Sequence, residues 1–121
     1  VIAEAVATGV HLGVDQKIFY QVVSASGANS RMFQQVMPWV LEGDSSRLQG
    51  HLQTAMKDLS FYNSLSKSAE ATSFLGSTVY EIYRYANNTG FGRAFVPLLC
   101  GIMAKINGDI IHPLEPDGAG E

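Results

Sequence analysis

The chain has 121 residues, 46% of them hydrophobic, which is enough for a single core of ordinary size and so predicts one domain. Its formal charge of -3 comes from scattered residues with no lysine or arginine run to track a phosphate backbone, so nucleic acid is not an expected partner. No apolar stretch reaches the ~20 residues needed to span a bilayer, and the lone Cys100, set in an apolar run, suits a reducing cytoplasm and reads as a small buried hydrophobe.

From the first residue, Val1-Ile2-Ala3-Glu4-Ala5-Val6 has helical composition with no capping residue ahead of it, so the chain is expected to begin inside a helix that stops near Gly13. Asp15 is placed to cap a second helix, with Ile18, Phe19, Val22 and Val23 on one face, that ends around Ser26-Gly27-Ala28. Asn29 or Ser30 can cap a third, whose stripe of Met32, Phe33, Val36, Met37, Val40 and Leu41 runs to Gly43. Pro38 should kink or break it. After the turn-like Gly43-Asp44-Ser45-Ser46, the spacing of Leu48, Leu52, Ala55, Met56, Leu59, Tyr62 and Leu65 predicts a long buried helix. A linker at Ala71-Thr72-Ser73 leads to a fifth helix, with Leu75, Val79, Ile82 and Ala86 on one side and Tyr80, Tyr83 and Asn87 on another, closed by Gly90. A sixth carries Val96, Leu99, Ile102, Met103 and Ile106 and stops at Asn107-Gly108. The tail from Asp109 to Glu121, with Pro113 and Pro116, is expected to be extended or disordered. No pair of β-branched runs suggests a sheet, so the expected fold is all-α, a bundle of about six helices over residues 1–108.

Constellations for chemistry are sparse. His11, His51 and His112 have neither helical spacing nor neighbouring carboxylates, so no metal site is expected. Gly90-Phe91-Gly92 follows a helix and lacks a third glycine, which makes a helix end and loop a better reading than a phosphate cradle. Asn87-Asn88-Thr89 matches a glycosylation sequon by chance. Lys57 lines up with Gln53, Ser60, Ser64 and Lys67 on a second, polar stripe of the long helix. Spacing alone favours a solvated face there, the alternative being an ammonium placed in a cleft beside an anion.

The order of the landmarks decides more. Ala3-Glu4-Ala5, Gly13-Val14-Asp15, the serine- and glycine-containing turn at Ser24–Ser30, Lys57-Asp58-Leu59, Tyr80-Glu81-Ile82-Tyr83 and Gly90-Phe91-Gly92 together resemble the C-terminal domain of the β-hydroxyacid dehydrogenases, which include 3-hydroxyisobutyrate dehydrogenase and tartronate semialdehyde reductase. The resemblance covers about Ala3–Asn107. It implies a helical domain like that at the C-terminus of 6-phosphogluconate dehydrogenase, which completes a substrate cleft and supplies contacts of a homodimer. It also implies NAD or NADP bound mainly by an N-terminal Rossmann domain, of which this sequence has no strand with Gly-x-Gly-x-x-Gly. The family's proton-transfer lysine is expected just upstream of Val1, so no catalytic residue is assigned within the chain. Lys57 matches the lysine that reaches the nicotinamide cofactor and Asp58 its acidic neighbour in the substrate region.

The implied substrate is a short hydroxy or oxo acid of the 3-hydroxyisobutyrate or 2-hydroxy-3-oxopropionate type. Two positions depart from the family. Gly50 stands where a cleft-lining phenylalanine is usual and Phe95 where an aspartate is usual, which opens the pocket to another substrate, as in the related imine reductases. A non-catalytic helical association module is the rival reading, motivated by the same two positions and by the methionines Met32, Met37, Met56 and Met103 on apolar stripes.

Overall fold

The computed structural model describes residues 1–116. It has six α-helices and, among the described residues, no strand. They are α1 (Ile2–His11), α2 (Gln16–Ser24), α3 (Arg31–Glu42), α4 (Leu52–Ser68), α5 (Phe74–Ala86) and α6 (Leu99–Ile106). The all-α expectation holds, and the helix limits follow the capping chemistry. The Asp15 carboxylate accepts the Lys17 amide at 2.8 Å and the Ser30 hydroxyl accepts that of Phe33 at 3.0 Å. At the other ends, Gly13, Gly43 and Gly108 all turn left-handed, a conformation that costs a residue with a Cβ.

The helices group into two compact units. The first joins Val1–Gln49 to Phe95–Leu114 and so contains α1, α2, α3 and α6. Its core is Val6, Phe33, Val36, Met37, Trp39, Val40 and Cys100. Phe33 is sandwiched by α2, with Tyr20 stacked on it at 5.9 Å and Phe19 meeting it edge-on at 6.1 Å. The tyrosine hydroxyl is satisfied by the Gln34 amide oxygen at 2.7 Å. α1 lies along α6, and Gly101 is where α6 admits Trp39: a Cβ there would stand 2.5 Å from the indole ring. Burial raises the Cys100 thiol to about 12, so it stays protonated at neutral pH and serves as packing, not as a nucleophile.

Several sequence expectations are corrected here. α3 runs unbroken through Pro38, because burial of Val36, Met37, Trp39 and Val40 around it outweighs the missing donor. The α2 face divides: Phe19 and Val23 pack on the core, while Ile18 and Val22, each rotated about 100° from them, are exposed. Leu48 belongs to no helix and packs against the first core instead. Apart from these corrections, Asp109–Leu114 is non-helical and makes side-chain contacts. Asp109 accepts from His11 Nδ1 at 2.8 Å, the His112 ring lies edge-on to Trp39 at 5.0 Å, and Ile111 and Leu114 pack on the core. The last part of the tail, 117–121, lies outside the described residues.

The second unit, Gly50–Ala94, is the pair α4 and α5 with the loop that follows them. The expectation of a buried α4 fails. Of its residues only Leu52 and Ser66 are buried, while Phe61 and Leu65 are 65% and 69% exposed. The covered stripe is Leu52, Ala55, Met56, Leu59, Asn63 and Ser66, two of its members polar. Asn63 donates to the Gly76 carbonyl at 3.2 Å and Ser66 to that of Ala71 at 3.0 Å, so hydrogen bonds hold part of the α4–α5 seam that the sequence assigned to apolar packing. Phe61, Tyr62 and Leu65 fall outside that stripe, and so do Phe74 and Leu75 of α5.

Candidate functional site

The residues singled out by the sequence lie in the second unit. α4 begins without a side-chain cap at His51, and the amides of its first turn find partners elsewhere: Leu52 N–H donates to Ala94 O at 2.9 Å and Gln53 N–H to Gly92 O at 2.8 Å. These two bonds satisfy donors that a helix start leaves unpaired, so this N-terminus is closed to an anion. They also fix the loop Gly90–Ala94 against the turn that leads to Lys57.

The loop is shaped by its glycines. α5 continues into a wide π-type turn over Asn87–Phe91, closed by Thr89 Oγ1 donating to the Tyr85 carbonyl at 2.9 Å. Gly90 then takes φ of 97°, which reverses the chain and buries Phe91. Gly92 is buried as well. A Cβ there would collide with the Asn87 amide oxygen and approach that of Gln53 to 3.3 Å. The Gly90-Phe91-Gly92 motif therefore acts as a helix end and tight connection, in keeping with the reading of it as a loop.

Lys57 and Asp58 are both exposed, and the side chain of neither makes a hydrogen bond or ion pair with another described residue. They are neighbours on α4, so their side chains leave the helix about 100° apart. Lys57 shares its face with Gln53, Ser60 and Ser64, whereas Asp58 shares one with Thr54, Phe61, Tyr62 and Leu65. One ligand could meet both only across the edge between these faces. Gly50 lies exposed, two residues ahead of α4, with no side chain to form a wall. Phe95 caps the short 3-10 turn Val96–Leu98 in the first unit.

This surface can bind: it offers an ammonium, an amide and a carboxylate, none of them engaged by the rest of the described chain. It holds no evident proton-transfer pair or nucleophile. The residue that sequence reasoning underrated is Gln53. It was visible only as a member of the Lys57 stripe, because its tie to Gly92 joins segments 39 residues apart (92 − 53) and leaves no local signal.

Comparison with known proteins bears on this arrangement. The family described as NAD-binding of NADP-dependent 3-hydroxyisobutyrate dehydrogenase matches residues 1–95. An L-threonate dehydrogenase of Haemophilus influenzae is 35% identical over 91 residues, which is 75% of this chain and 30% of that protein. One from Cupriavidus necator is 30% identical over 90 residues, 74% of this chain and 30% of its own length. The crystal structure of a 3-hydroxyisobutyrate dehydrogenase from Salmonella typhimurium superimposes with a TM-score of 0.74 at 28% identity, covering 87% of this chain and 35% of that one. The chain thus spans about a third of the length of the relatives it matches.

Proposed function

The chain belongs to the family of NAD-binding domains of 3-hydroxyisobutyrate dehydrogenases, and from that membership we propose that it is the helical part of an NAD(P)-dependent oxidoreductase acting on a short hydroxy acid. The observation that carries this reading is the family match over residues 1–95, which takes in all of α4 and the Gly90–Ala94 loop. In this reading the nicotinamide cofactor supplies the hydride acceptor or donor. The uncommitted Lys57 ammonium fits a group carrying phosphate or carboxamide oxygens and holds the cofactor from the helical side, while Asp58 accepts from a substrate hydroxyl. Proton transfer to the substrate oxygen is the task of a lysine in the part of the protein that precedes Val1, and this chain by itself is inactive.

The relatives named for L-threonate favour a hydroxylated four-carbon acid over 3-hydroxyisobutyrate. Gly50 supports the same choice, since a position with no side chain leaves room for the additional hydroxyls. The test is a panel of threonate, 3-hydroxyisobutyrate and 2-hydroxy-3-oxopropionate with both cofactors, followed at the absorbance of the reduced nicotinamide, on the full-length protein and on this chain alone. Turnover of threonate by the former and none by the latter is the expected result. No hydride transfer from any acid would leave the association module as the better reading.

We further propose a homodimer in which the apolar side chains exposed on α4 and α5, Phe61, Leu65, Phe74 and Leu75, are covered. Sedimentation of the full-length protein should show a dimer, and substituting Phe61 and Leu65 by Ser should shift it towards monomer. A monomer from the unsubstituted protein at high concentration would contradict this.

A further inference from the structure

Gln53 stands one helical turn before Lys57, about 6 Å along the same face of α4, and both are exposed. Most exposed glutamines at such a place are loosely held, but here the backbone is fixed. The Gln53 amide donates to Gly92 O at 2.8 Å, and its Leu52 neighbour to Ala94 O at 2.9 Å. The side chain lies over the same loop: its Oε1 is 3.3 Å from where a Cβ on Gly92 would be, in the space that this glycine leaves open. The amide oxygen thus rests near the loop, and the Nε2 group, two donors in all, makes no hydrogen bond to any described residue. A fixed stem, a side chain lying over a glycine whose Cβ would crowd Asn87, and an unused pair of donors beside an unused ammonium are the properties of a ligand contact.

We propose that Gln53 is a specificity-determining residue that donates its amide N–H groups to a hydroxyl of the hydroxy-acid substrate, next to the cofactor contact made by Lys57. The donors are neutral and directional, so they suit an oxygen-rich acid and contribute little to an acid whose corresponding position is a methyl group. This rests on the oxidoreductase reading above and assigns part of the selectivity for the acid, as distinct from the cofactor, to α4.

The experiment uses the full-length protein with Gln53→Leu, which keeps the backbone bond and a side chain of similar bulk but removes the donors, and Gln53→Glu, which replaces donors by a negative charge. The expected result is a KM for threonate raised roughly tenfold by Leu and further by Glu. The KM for the cofactor should stay within about twofold and the melting temperature should not change, because the side chain is exposed. The KM ratio of threonate to 3-hydroxyisobutyrate should move towards the less hydroxylated acid. A purely structural glutamine would give equal effects on both acids, or an effect confined to stability. Either result, or KM values unaltered in both variants, overturns the proposal while leaving the enzyme reading intact. Absence of turnover in the unsubstituted protein with every acid would instead overturn both.

Discussion

Lys57→Ala in the full-length protein is expected to raise the KM for the nicotinamide cofactor by roughly ten- to a hundredfold, the cost of a hydrogen bond to a charged group, with little change in melting temperature. Stability should hold because the ammonium is exposed and bonded to no described residue. Lys57→Arg should recover only part of the loss, since a planar guanidinium cannot occupy the place of a compact ammonium. Equilibrium titration of reduced cofactor fluorescence separates the outcomes: unchanged affinity in the Ala variant means that Lys57 is a solvated lysine and nothing more. Asp58→Asn, which removes the charge at nearly constant shape, offers the contrast. It should act on the acid and not on the cofactor, since its side chain leaves α4 on another face.

Gly92→Ala is expected to destabilise the protein by about 1–3 kcal/mol, the usual cost of overpacking, although only one methyl group is added. Gly92 is buried, its carbonyl is committed to the Gln53 amide at 2.8 Å, and the added Cβ would run into the Asn87 amide oxygen. Relief by a shift of the loop would break the bond that fixes the first turn of α4, so the variant should also weaken binding at the Lys57 face. Denaturant melts check the first effect, and pairing the change with Asn87→Ala checks its cause. If the collision with Asn87 is responsible, the double variant should be more stable than the sum of its parts predicts. Simple additivity would place the strain elsewhere.

What could be read from the sequence follows the reach of each physical signal. Caps and left-handed glycines are local, so Asp15, Ser30, Gly43, Gly90 and Gly108 marked the helix ends well. Periodicity placed Phe33, Val36, Met37 and Val40 in a core but could not say what would cover α4. Its apolar positions drift around the helix. Asn63 and Ser66 take covered places by bonding the connection to α5, while Phe61 and Leu65 are left outside. Trp39 was absent from the expected stripe, because a single indole admitted by Gly101 depends on a close approach of segments far apart in sequence. The same holds at the candidate site. The Lys57-Asp58 pair was found through resemblance to a family, whereas the fixing of Gln53 by Gly92 arises only when the chain folds back on itself.

The central proposal is that this chain completes a site where hydride passes between a short hydroxy acid and a nicotinamide. The most direct test is to offer the full-length protein threonate carrying deuterium on the carbon that is oxidised, with NAD or NADP, and to weigh the reduced cofactor. The account predicts that the deuterium appears on the nicotinamide with the unsubstituted protein and appears far more slowly at limiting cofactor with Lys57→Ala. A folded, dimeric protein that transfers none of it, from threonate or from the other acids of the panel, would contradict the account.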